Sequence, residues 1–300
     1  MSKNMRKKKF LSILLGFVFL LGTFAVSACG KKQEESGTDV YLILGQSNAV
    51  GCTPIAGCDE TYTTGFDNIK LWQDGHQSTS NPTTVNQWLN VKAGLGVDPQ
   101  SCGIELGFSE VLSPVYGERE CRIIRYSWGG KNLYRDFTPP SALAEGDTSR
   151  GHYYREAVKT ITQAIVNLEE SGLKPRVRAI LWMQGEADAT KIEYAAVYKN
   201  YLKALIRDLR ALVGDAWFII GEIASNCPHT VELAPMVQEA QASVAAEMDR
   251  AFLIQTDDLL LDLDCDEWHW QLPEMLTLGR RFGEVVKQLV LNKGSVASLG

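Results

Sequence analysis

The sequence predicts an α/β fold of the flavodoxin-like type, a three-layer α/β/α sandwich in which a mostly parallel sheet of five strands lies between two layers of helices. Apolar runs of strand length recur along the chain, and each is bounded by polar or turn residues. The later runs alternate with segments of helical periodicity, which is typical of parallel strands that are covered on both faces. About 260 residues follow the N-terminal segment, enough for one domain with a well-buried core.

Five apolar runs predict the strands, and four periodic segments predict helices. The strands are at 40–44, 122–126, 179–183, 217–221 and 251–255, and the helices at 152–170, 192–213, 235–248 and 273–291. In the first helix, apolar positions share one face, and Gly172 and Pro175 end the pattern. Residues 52–120 are rich in Gly, Thr, Asn and Pro, so we predict long loops there around one helix at 105–112.

The N-terminus predicts export and a lipid anchor. A basic cluster at 6–9 precedes an apolar run at 10–26 and the small residues Ser27 and Ala28 before Cys29. This order resembles a bacterial lipoprotein signal that is cleaved before a lipidated Cys29, and a membrane-spanning helix is the alternative. We therefore expect an extracytoplasmic lipoprotein that is anchored to the membrane through its lipid alone. The predicted organisation is a signal peptide at 1–28, a lipidated cysteine and polar tether at 29–38, a domain at 39–292 and a tail at 293–300.

Charge and cysteine content narrow the range of partners. The chain has 30 basic and 36 acidic residues, and residues 1–28 hold five of the basic ones, so the mature chain would carry 25 against 36, a net charge of −11. Such a charge disfavours nucleic acid and anionic membrane surfaces as partners. No Cys or His cluster has zinc spacing, so we expect no metal. Six further cysteines permit disulfides whose pairing the sequence leaves open, although Cys52 and Cys58 bracket a short loop and could form a local bridge. These six are Cys52, Cys58, Cys102, Cys121, Cys227 and Cys265.

Polar residues follow four of the predicted strands at the points where those strands end. In an open parallel sheet these carboxyl ends meet at one edge, where ligands bind. We therefore predict an active site at this edge. The clusters are Gln46-Ser47-Asn48, Ser127-Trp128-Gly129-Gly130-Lys131, Gln184-Gly185-Glu186-Ala187-Asp188 and Asp266-Glu267-Trp268-His269.

Ser47 is a candidate nucleophile within the first cluster. A serine hydroxyl needs a base to remove its proton, and a third group has to orient that base. Of the four histidines, His269 stands three residues after Asp266 and just past the last predicted strand. The structural alternatives are that Ser47 caps a helix and that the Asp266–His269 pair marks a helix start.

An acyl-transfer site also needs donors for the oxyanion, and the loss of one donor typically costs about 10²–10³ in rate. The candidates are the N–H of Ser47, a glycine N–H from Gly129 or Gly130, and the side-chain amide of Gln184. The glycines and Gln184 also have ordinary structural alternatives. The glycines could simply form a turn, and Gln184 could cap the end of a strand.

The four clusters together resemble the SGNH-hydrolase superfamily, and within it the carbohydrate esterase family 6 and sialate O-acetylesterase group. The likeness spans roughly residues 39–290. The matching motifs are Gly45-Gln46-Ser47-Asn48 for the nucleophile block, Gly129-Gly130 for the oxyanion glycines, Trp182-Met183-Gln184-Gly185-Glu186-Ala187-Asp188 for the Trp-x-Gln-Gly-Glu-x-Asp block, Asp266 to His269 for the terminal Asp-x-x-His, and Gly279-Arg280-Arg281 for the Gly-x-Arg that follows.

This resemblance implies a role for each matching residue. Ser47 would be the nucleophile, His269 the general base and then acid, and Asp266 the partner that orients the imidazole. The remaining implied roles are an oxyanion hole made by Ser47, Gly130 and Gln184, and support from Gln46, Asn48, Gly129 and Glu186.

The implied activity is that of a cofactor-independent serine esterase, which removes O-acetyl groups from a carbohydrate such as acetylated xylan. A sialate O-acetylesterase or a broad small-acyl esterase is the alternative among enzymes, and a glycan-binding lipoprotein without turnover is the alternative among other classes. Ala49 and Lys131 depart from the Met and Thr that the group often has, which leaves the specificity open. The predicted substrate contacts are Trp128, Lys131 and Trp268, with core packing as the alternative for the tryptophans.

Overall fold

Seven strands form the central sheet of the computed structural model, which describes residues 37–73 and 86–291. Within this central sheet, as far as the described residues show it, the pairings are parallel except that of β3 with β4. The predicted α/β class is therefore confirmed. In spatial order the strands are β4 (Gln87–Val91), β3 (Phe66–Gln73), β6 (Cys121–Ser127), β1 (Thr38–Gly45), β7 (Pro175–Met183), β8 (Trp217–Gly221) and β9 (Ala251–Ile254).

The predicted number of five strands is wrong, because residues 52–120 contain more than loops around a helix. Strands β3 and β4 extend the sheet at one edge, and β2 (Thr53–Pro54) pairs with β5 (Ser101–Cys102) in a separate ladder. The sequence of β4, Gln-Trp-Leu-Asn-Val, does not alternate between apolar and polar residues, and most of its residues are half-buried. An edge strand of this kind carries little of the periodic signal by which buried strands are recognised.

The helices follow their predicted positions with small shifts. Pro114 does not end the helix predicted at 105–112, and the segment predicted as one helix at 192–213 breaks into two. The last helix continues as a π-helical turn at Val286–Leu291. The observed helices are α1 (Ser47–Val50), α2 (Glu60–Thr64), α3 (Glu105–Tyr116), α4 (His152–Glu170), α5 (Ile192–Ala195), α6 (Tyr198–Val213), α7 (Ala234–Glu247) and α8 (Leu272–Val285).

Side chains that alternate along β7 bury themselves on opposite faces of the sheet. Trp182 donates to the hydroxyl of Tyr198 on α6, whereas Met183 lies with Phe282 of α8 against Gly221. The two faces are therefore covered by different helices, as a three-layer sandwich requires. Both layers pack onto strands that are almost fully buried, which fixes the carboxyl ends of β1, β6 and β7 relative to one another.

Two glycines allow α3 and α8 to cross at close range. A Cβ at Gly107 would lie 2.1 Å from the carbonyl oxygen of Leu276, and one at Gly279 would lie 2.4 Å from that of Ile104. Any side chain at either position would force the helices apart. This contact explains the glycine of the Gly279-Arg280-Arg281 segment.

The predictions for the chain termini fall outside the described residues. They comprise the signal peptide, the lipidated Cys29 with most of its tether, and the C-terminal tail. Across 37–73 and 86–291, no helix is long and apolar enough to cross a bilayer.

All six cysteines of the domain lie within the described residues, and their thiols are free. The predicted local bridge between Cys52 and Cys58 is therefore absent from the structure. Cys52 lines a pocket at the carboxyl edge of the sheet, whereas Cys58 lies in the turn before α2. The Gly-containing loop between them does not bring the two thiols into a bond.

Candidate active site

A tight turn places Ser47 at the end of β1. Gly45 has a φ of +147°, and a Cβ there would lie 2.0 Å from the carbonyl oxygen of Met183, so the turn requires a glycine. Ser47 is the first residue of α1 rather than its cap, and its side chain makes no capping hydrogen bond. Its hydroxyl has no hydrogen-bond partner among the described residues, and neither has its N–H. The helix-cap alternative for this serine is therefore not what the structure shows.

Asp266 and His269 are joined by a hydrogen bond inside one short segment. Oδ2 of Asp266 lies 2.8 Å from Nδ1 of His269, while Oδ1 accepts the N–H groups of Trp268 at 2.6 Å and of His269 at 2.9 Å. Burial raises the pKa of Asp266, but the hydrogen bonds from His269 and from the Trp268 N–H outweigh it, so the pKa lies below its ordinary value. The ionised carboxylate thus fixes Nδ1 of the imidazole, and Nε2 has no partner in residues 37–73 and 86–291.

Arg281 of α8 holds the segment that leads from β9 to this pair. Its Nη1 donates to the carbonyl oxygen of Gln255 at 2.7 Å and to Oδ1 of Asp258 at 2.8 Å. The arginine of the Gly-x-Arg motif therefore anchors the start of the loop that carries the base.

Ser47 and His269 line the same pocket, which has a volume of about 550 Å³ and lies at the carboxyl edge of the sheet. The structure thus brings the predicted nucleophile and base together. No carboxylate is among the lining residues. These are Gln46, Ser47, Cys52, Gly129, Gly130, Asn132, Arg135, Ala187, Thr190, Lys191, Tyr194, Trp268 and His269.

One side of the pocket consists of Gly129, Gly130 and Asn132, which we call the donor wall. A Cβ at Gly129 would lie 3.8 Å from Cβ of Ser47, so the glycine pair is next to the nucleophile. Gly130 has a φ of +67°, and space is open around its Cα. Within the described part of the chain, the N–H groups of the two glycines have no acceptor. They are free to bind an oxygen of a ligand.

A buried carboxylate fixes the loop behind the donor wall. Asp188 accepts the N–H of Leu133 at 2.7 Å, the N–H of Tyr134 at 3.0 Å and the amide of Gln184 at 2.6 Å. Burial raises the pKa of Asp188 to about 6, although these three donors oppose the rise. At neutral pH the carboxylate is therefore ionised and engaged on both oxygens.

Gln184 does not face the pocket as predicted for an oxyanion donor. The residue is fully buried, and besides Asp188 its Nε2 meets the carbonyl oxygen of Lys131 at 3.2 Å and Oε1 of Gln46 at 3.3 Å. Its Oε1 accepts from the hydroxyl of Tyr198, which fixes the orientation of the amide. Because an amide has two hydrogens, both already have acceptors in the protein.

Asn48 ties the nucleophile turn to the two neighbouring loops. Its Nδ2 donates to Oε1 of Glu186 at 2.8 Å and to the carbonyl oxygen of Trp268 at 3.4 Å. Burial raises the pKa of Glu186, and the hydrogen bond from Asn48 and the nearby His269 oppose this. Gln46 adds a contact, since its Oε1 accepts the N–H of Ala187 at 3.2 Å. The four polar segments therefore meet in one hydrogen-bond network.

The three predicted substrate contacts have different surroundings. Trp268 lines the pocket, and its ring stacks on His229 at 4.5 Å with an interplanar angle of 4°. Trp128 packs instead on Tyr153 with ring centroids 5.2 Å apart, and Nζ of Lys131 lies 4.9 Å from the centre of the same Tyr153 ring. Neither Trp128 nor Lys131 lines the pocket, so in this structure they are packing residues of the loop after β6.

Cys52 is a second nucleophilic side chain in the pocket. Burial raises the pKa of its thiol to about 11, and the charge of Asp266 adds to the rise. The thiolate is the reactive form of cysteine, so this thiol is a poor nucleophile at neutral pH. Ser47 therefore remains the better candidate.

The family model of the carbohydrate esterases described as sialic acid-specific acetylesterases matches residues 37–288. This match covers more than half of the chain. The chain belongs to the sialic acid-specific acetylesterase family. This family is part of the SGNH-hydrolase superfamily, so the protein is a carboxylic ester hydrolase whose substrates are acetylated carbohydrates. No curated protein sequence matches the chain.

Solved structures share the fold of this esterase at low sequence identity. A protein from Arabidopsis thaliana has a TM-score of 0.65 at 18% identity, and the alignment covers 85% of this chain and 99% of that one. A carbohydrate acetylesterase from Xanthomonas citri has a TM-score of 0.63 at 18% identity over 87% of this chain and 58% of its own. NanS has a TM-score of 0.59 at 17% identity over 84% and 97%. At these identities the likeness establishes the fold.

Sequence reasoning missed several residues of this esterase site. Asn132, Arg135 and Tyr194 line the pocket, Asp188 fixes the donor wall, and His229 stacks on Trp268. Asp188 stood at the end of a recognised motif, and that was the available signal. The other four lie in loops or a short helix, where no periodicity relates them to the strand ends.

Proposed function

We propose that this protein is a serine esterase that removes O-acetyl groups from a carbohydrate through an acyl-enzyme at Ser47. The observation that carries the proposal is that the hydroxyl of Ser47 has no other use in the described structure. It shares a pocket with an imidazole whose Nδ1 is held by Asp266 and whose Nε2 is uncommitted. A nucleophile, an oriented base and free N–H donors are the parts that acyl transfer needs.

The proposed reaction has two halves. His269 Nε2 takes the proton of Ser47 as its Oγ attacks the acetyl carbon, and the N–H groups of Ser47 and Gly130 stabilise the oxyanion. The C–O bond to the sugar then breaks, and the imidazolium gives its proton to the departing sugar oxygen. In the second half His269 deprotonates a water, which attacks the acetyl carbon on Ser47. The bond between that carbon and Oγ of Ser47 then breaks, the imidazolium returns its proton to Oγ, and acetic acid leaves and ionises to acetate.

Ser47→Ala tests this mechanism most simply. We expect the variant to keep its fold and to lose acetate release from 4-nitrophenyl acetate down to background, since loss of the nucleophile costs about 10⁶ in turnover in a well-studied serine hydrolase. Equal rates for Ser47→Ala and the wild type would exclude Ser47 as nucleophile. Absence of turnover in both, on every acetylated substrate, would favour a glycan-binding protein without catalysis.

Two carbohydrate classes are candidates for the natural substrate. Acetylated xylan is the first, as inferred from the resemblance of the sequence. Sialic acid esters are the second, and one observation favours them: the charged side chains of Arg135 and Lys191 line the pocket beside His269, and no carboxylate does. The side chain of Arg135 is 59% exposed, so it can reach a ligand despite its contact with Asp136. A sugar that bears a carboxylate would meet complementary charge there.

Acetate release from acetylated xylan and from O-acetylated sialic acid separates these candidates. A double Arg135→Gln, Lys191→Gln variant should raise the KM for the sialic acid ester and leave that for 4-nitrophenyl acetate unchanged. If both KM values stay unchanged, the cations play no part in recognition. If xylan is preferred by both proteins, the first candidate stands.

We also propose that Cys29 is lipidated and that this lipid tethers the domain outside the cytoplasm. In support, the basic cluster, the apolar run and the small residues before Cys29 have the order of a bacterial lipoprotein signal. Metabolic labelling with a radioactive fatty acid should mark the wild type and not the Cys29→Ala variant. Equal labelling of the two proteins would contradict the proposed lipidation.

A further inference from the structure

Asn132 is the residue of the donor wall that has a polar side chain, and hydrogen bonds within its own loop hold it in place. Its N–H donates to Oδ2 of Asp136 at 3.1 Å, its carbonyl oxygen accepts from the N–H groups of Asp136 and Phe137, and its Oδ1 accepts the N–H of Arg135 at 2.7 Å. A backbone N–H can face only the oxygen of a side-chain amide, so the Arg135 contact fixes which end is nitrogen.

The remaining polar atom of Asn132, Nδ2, has no acceptor among the described residues. Asn132 is only 5% exposed, yet its side chain lines the pocket that holds Ser47 and His269. The small exposed part therefore opens into this pocket. Nδ2 is not one of the fully buried polar atoms of the described residues, so its N–H groups are open to an acceptor from the pocket, such as a ligand oxygen.

Gln184, the amide that the family resemblance implies for the oxyanion, is differently placed. Both its hydrogens are bound by Asp188 and by the acceptors of Lys131 and Gln46, and the residue does not line the pocket. Asn132 follows Gly129 and Gly130 on the same loop, which already lies against Ser47. Two lining amides, those of Asn132 and Gln46, have an NH₂ group without an acceptor among the described residues. Of these two, Asn132 stands on the loop of Gly129 and Gly130, on the side where the oxyanion would form.

We propose that Asn132 is a catalytic residue, whose Nδ2 donates a hydrogen bond to the acetyl carbonyl oxygen and more strongly to the oxyanion derived from it. Gln184 then acts as a positioning residue, which holds the Lys131 carbonyl and the loop that carries the donors. This inference rests on the proposed acyl transfer at Ser47. A donor that is held rigid before the reaction needs no reorganisation when the negative charge develops.

Two substitutions isolate the donor. Asn132→Asp keeps Oδ1 for the Arg135 N–H and removes the NH₂ group, while Asn132→Ala removes the donor without adding a charge. We expect both to lower kcat for 4-nitrophenyl acetate by about 10²–10³ with a much smaller change in KM, as for other oxyanion donors. Asn200→Asp is the matched control, because Asn200 is exposed on α6 and lies outside the pocket. It should keep the wild-type kcat.

A boronic acid gives a readout that a structural role would not move. Boronic acids form a tetrahedral anionic adduct with a serine hydroxyl, so the affinity of the full chain for phenylboronic acid should fall with kcat in both Asn132 variants. Melting temperatures close to that of the wild type are expected throughout. Unchanged kcat and boronic acid affinity would overturn the proposal, and so would a loss of kcat that accompanies loss of the fold. If the wild type itself does not react, or reacts as Ser47→Ala does, the acyl-transfer mechanism fails instead.

Discussion

The two sides of the pocket are built in different ways. The donor wall belongs to a loop whose N–H groups at Leu133 and Tyr134 donate to a fully buried carboxylate, that of Asp188, which follows the end of β7. The opposite side, which we call the base wall, consists of Trp268 and His269, together with Asp266, which lies outside the pocket lining and is bound to the imidazole. Its carboxylate is half-exposed and accepts hydrogen bonds only from its own short segment, so far as the described residues go.

This difference suggests a division of tasks. Donors for an oxyanion must be placed before the reaction, because their value depends on fixed geometry. A base must exchange protons with solvent and departing groups in every cycle, which a half-exposed imidazole can do. Substitutions that disturb the donor wall should therefore lower the stability of the fold, and substitutions in the base wall should lower the rate of turnover.

The largest expected effect concerns the base wall. In Asp266→Asn, the amide oxygen can keep the N–H groups of Trp268 and His269, but the NH₂ group would face Nδ1 and favour the wrong tautomer. We expect kcat/KM to fall by about 10³–10⁴, as in the serine protease triad, with a change in unfolding free energy below about 1 kcal/mol. Steady-state kinetics and urea unfolding measure the two quantities. A loss of less than tenfold in kcat/KM would show that Asp266 does not orient the base.

In the donor wall, Asp188→Asn should mainly lower the stability of the fold, whereas Asp266→Asn should mainly lower kcat/KM. Asparagine offers one acceptor oxygen to three donors, and its own NH₂ group would be buried against N–H groups. We expect the unfolding free energy to fall by about 2–5 kcal/mol, because each unsatisfied buried group costs about 1–3 kcal/mol. Urea unfolding beside Asp266→Asn gives the comparison. Equal stability losses in the two variants would contradict the proposed division.

The pH dependence of stability should differ in sign between the walls. The pKa of Asp188 is raised from 3.8 to about 6 by burial, so the unfolded chain ionises first and stability falls as the pH rises through this range. The pKa of Asp266 is lowered by its partners, so its contribution is present above the ordinary value of 3.8 and is lost as the pH falls below it. The difference in unfolding free energy between the wild type and Asp188→Asn, plotted against pH, should therefore have a slope opposite in sign to that for Asp266→Asn. Slopes of one sign would contradict the account.

The smallest expected effect is that of His229→Ala at the rim of the base wall. The ring of His229 stacks on Trp268, and its Nε2 lies 2.7 Å from Oε2 of Glu267, so His229 helps to fix the position of the indole. Stacked rings contribute about 0.5–1.5 kcal/mol, and we expect KM for a carbohydrate ester to rise about two- to tenfold with kcat unchanged. The KM for 4-nitrophenyl acetate is the control, and a parallel rise there would point to a general disturbance of the pocket.

The sequence predicted most of the buried fold because periodicity reports burial. The strands β1, β6, β7, β8 and β9 and helix α4 lie where their apolar patterns place them. The edge strand β4 and its neighbour β3 were not predicted. Strand β4 is mostly half-buried and does not alternate between apolar and polar residues, and β3 depends on pairing with β6, which lies far along the chain. A helix boundary such as the break before Tyr198 depends equally on packing that no local pattern contains.

The sequence predicted which strand ends form the site, but it did not predict the hydrogen bonds between them. Motif spacing placed Ser47, Asp266 and His269 at one edge, and the structure puts Ser47 and His269 in one pocket with Asp266 bound to the imidazole. Whether the amide of Gln184 or of Asn132 faces that pocket depends on which acceptors surround each one. Those acceptors, from Asp188 to the Arg135 N–H, lie on loops whose course the sequence does not reveal.

The most direct test of the central claim is to trap the acyl-enzyme. His269→Ala should accept an acetyl group slowly from 4-nitrophenyl acetate and release it more slowly still, so that mass spectrometry of its peptides finds the adduct. We expect one acetyl group, on the peptide that contains Ser47, and none when Ser47→Ala is added. An adduct on Cys52, or steady turnover in the wild type with no adduct on any peptide under any quench, would contradict it.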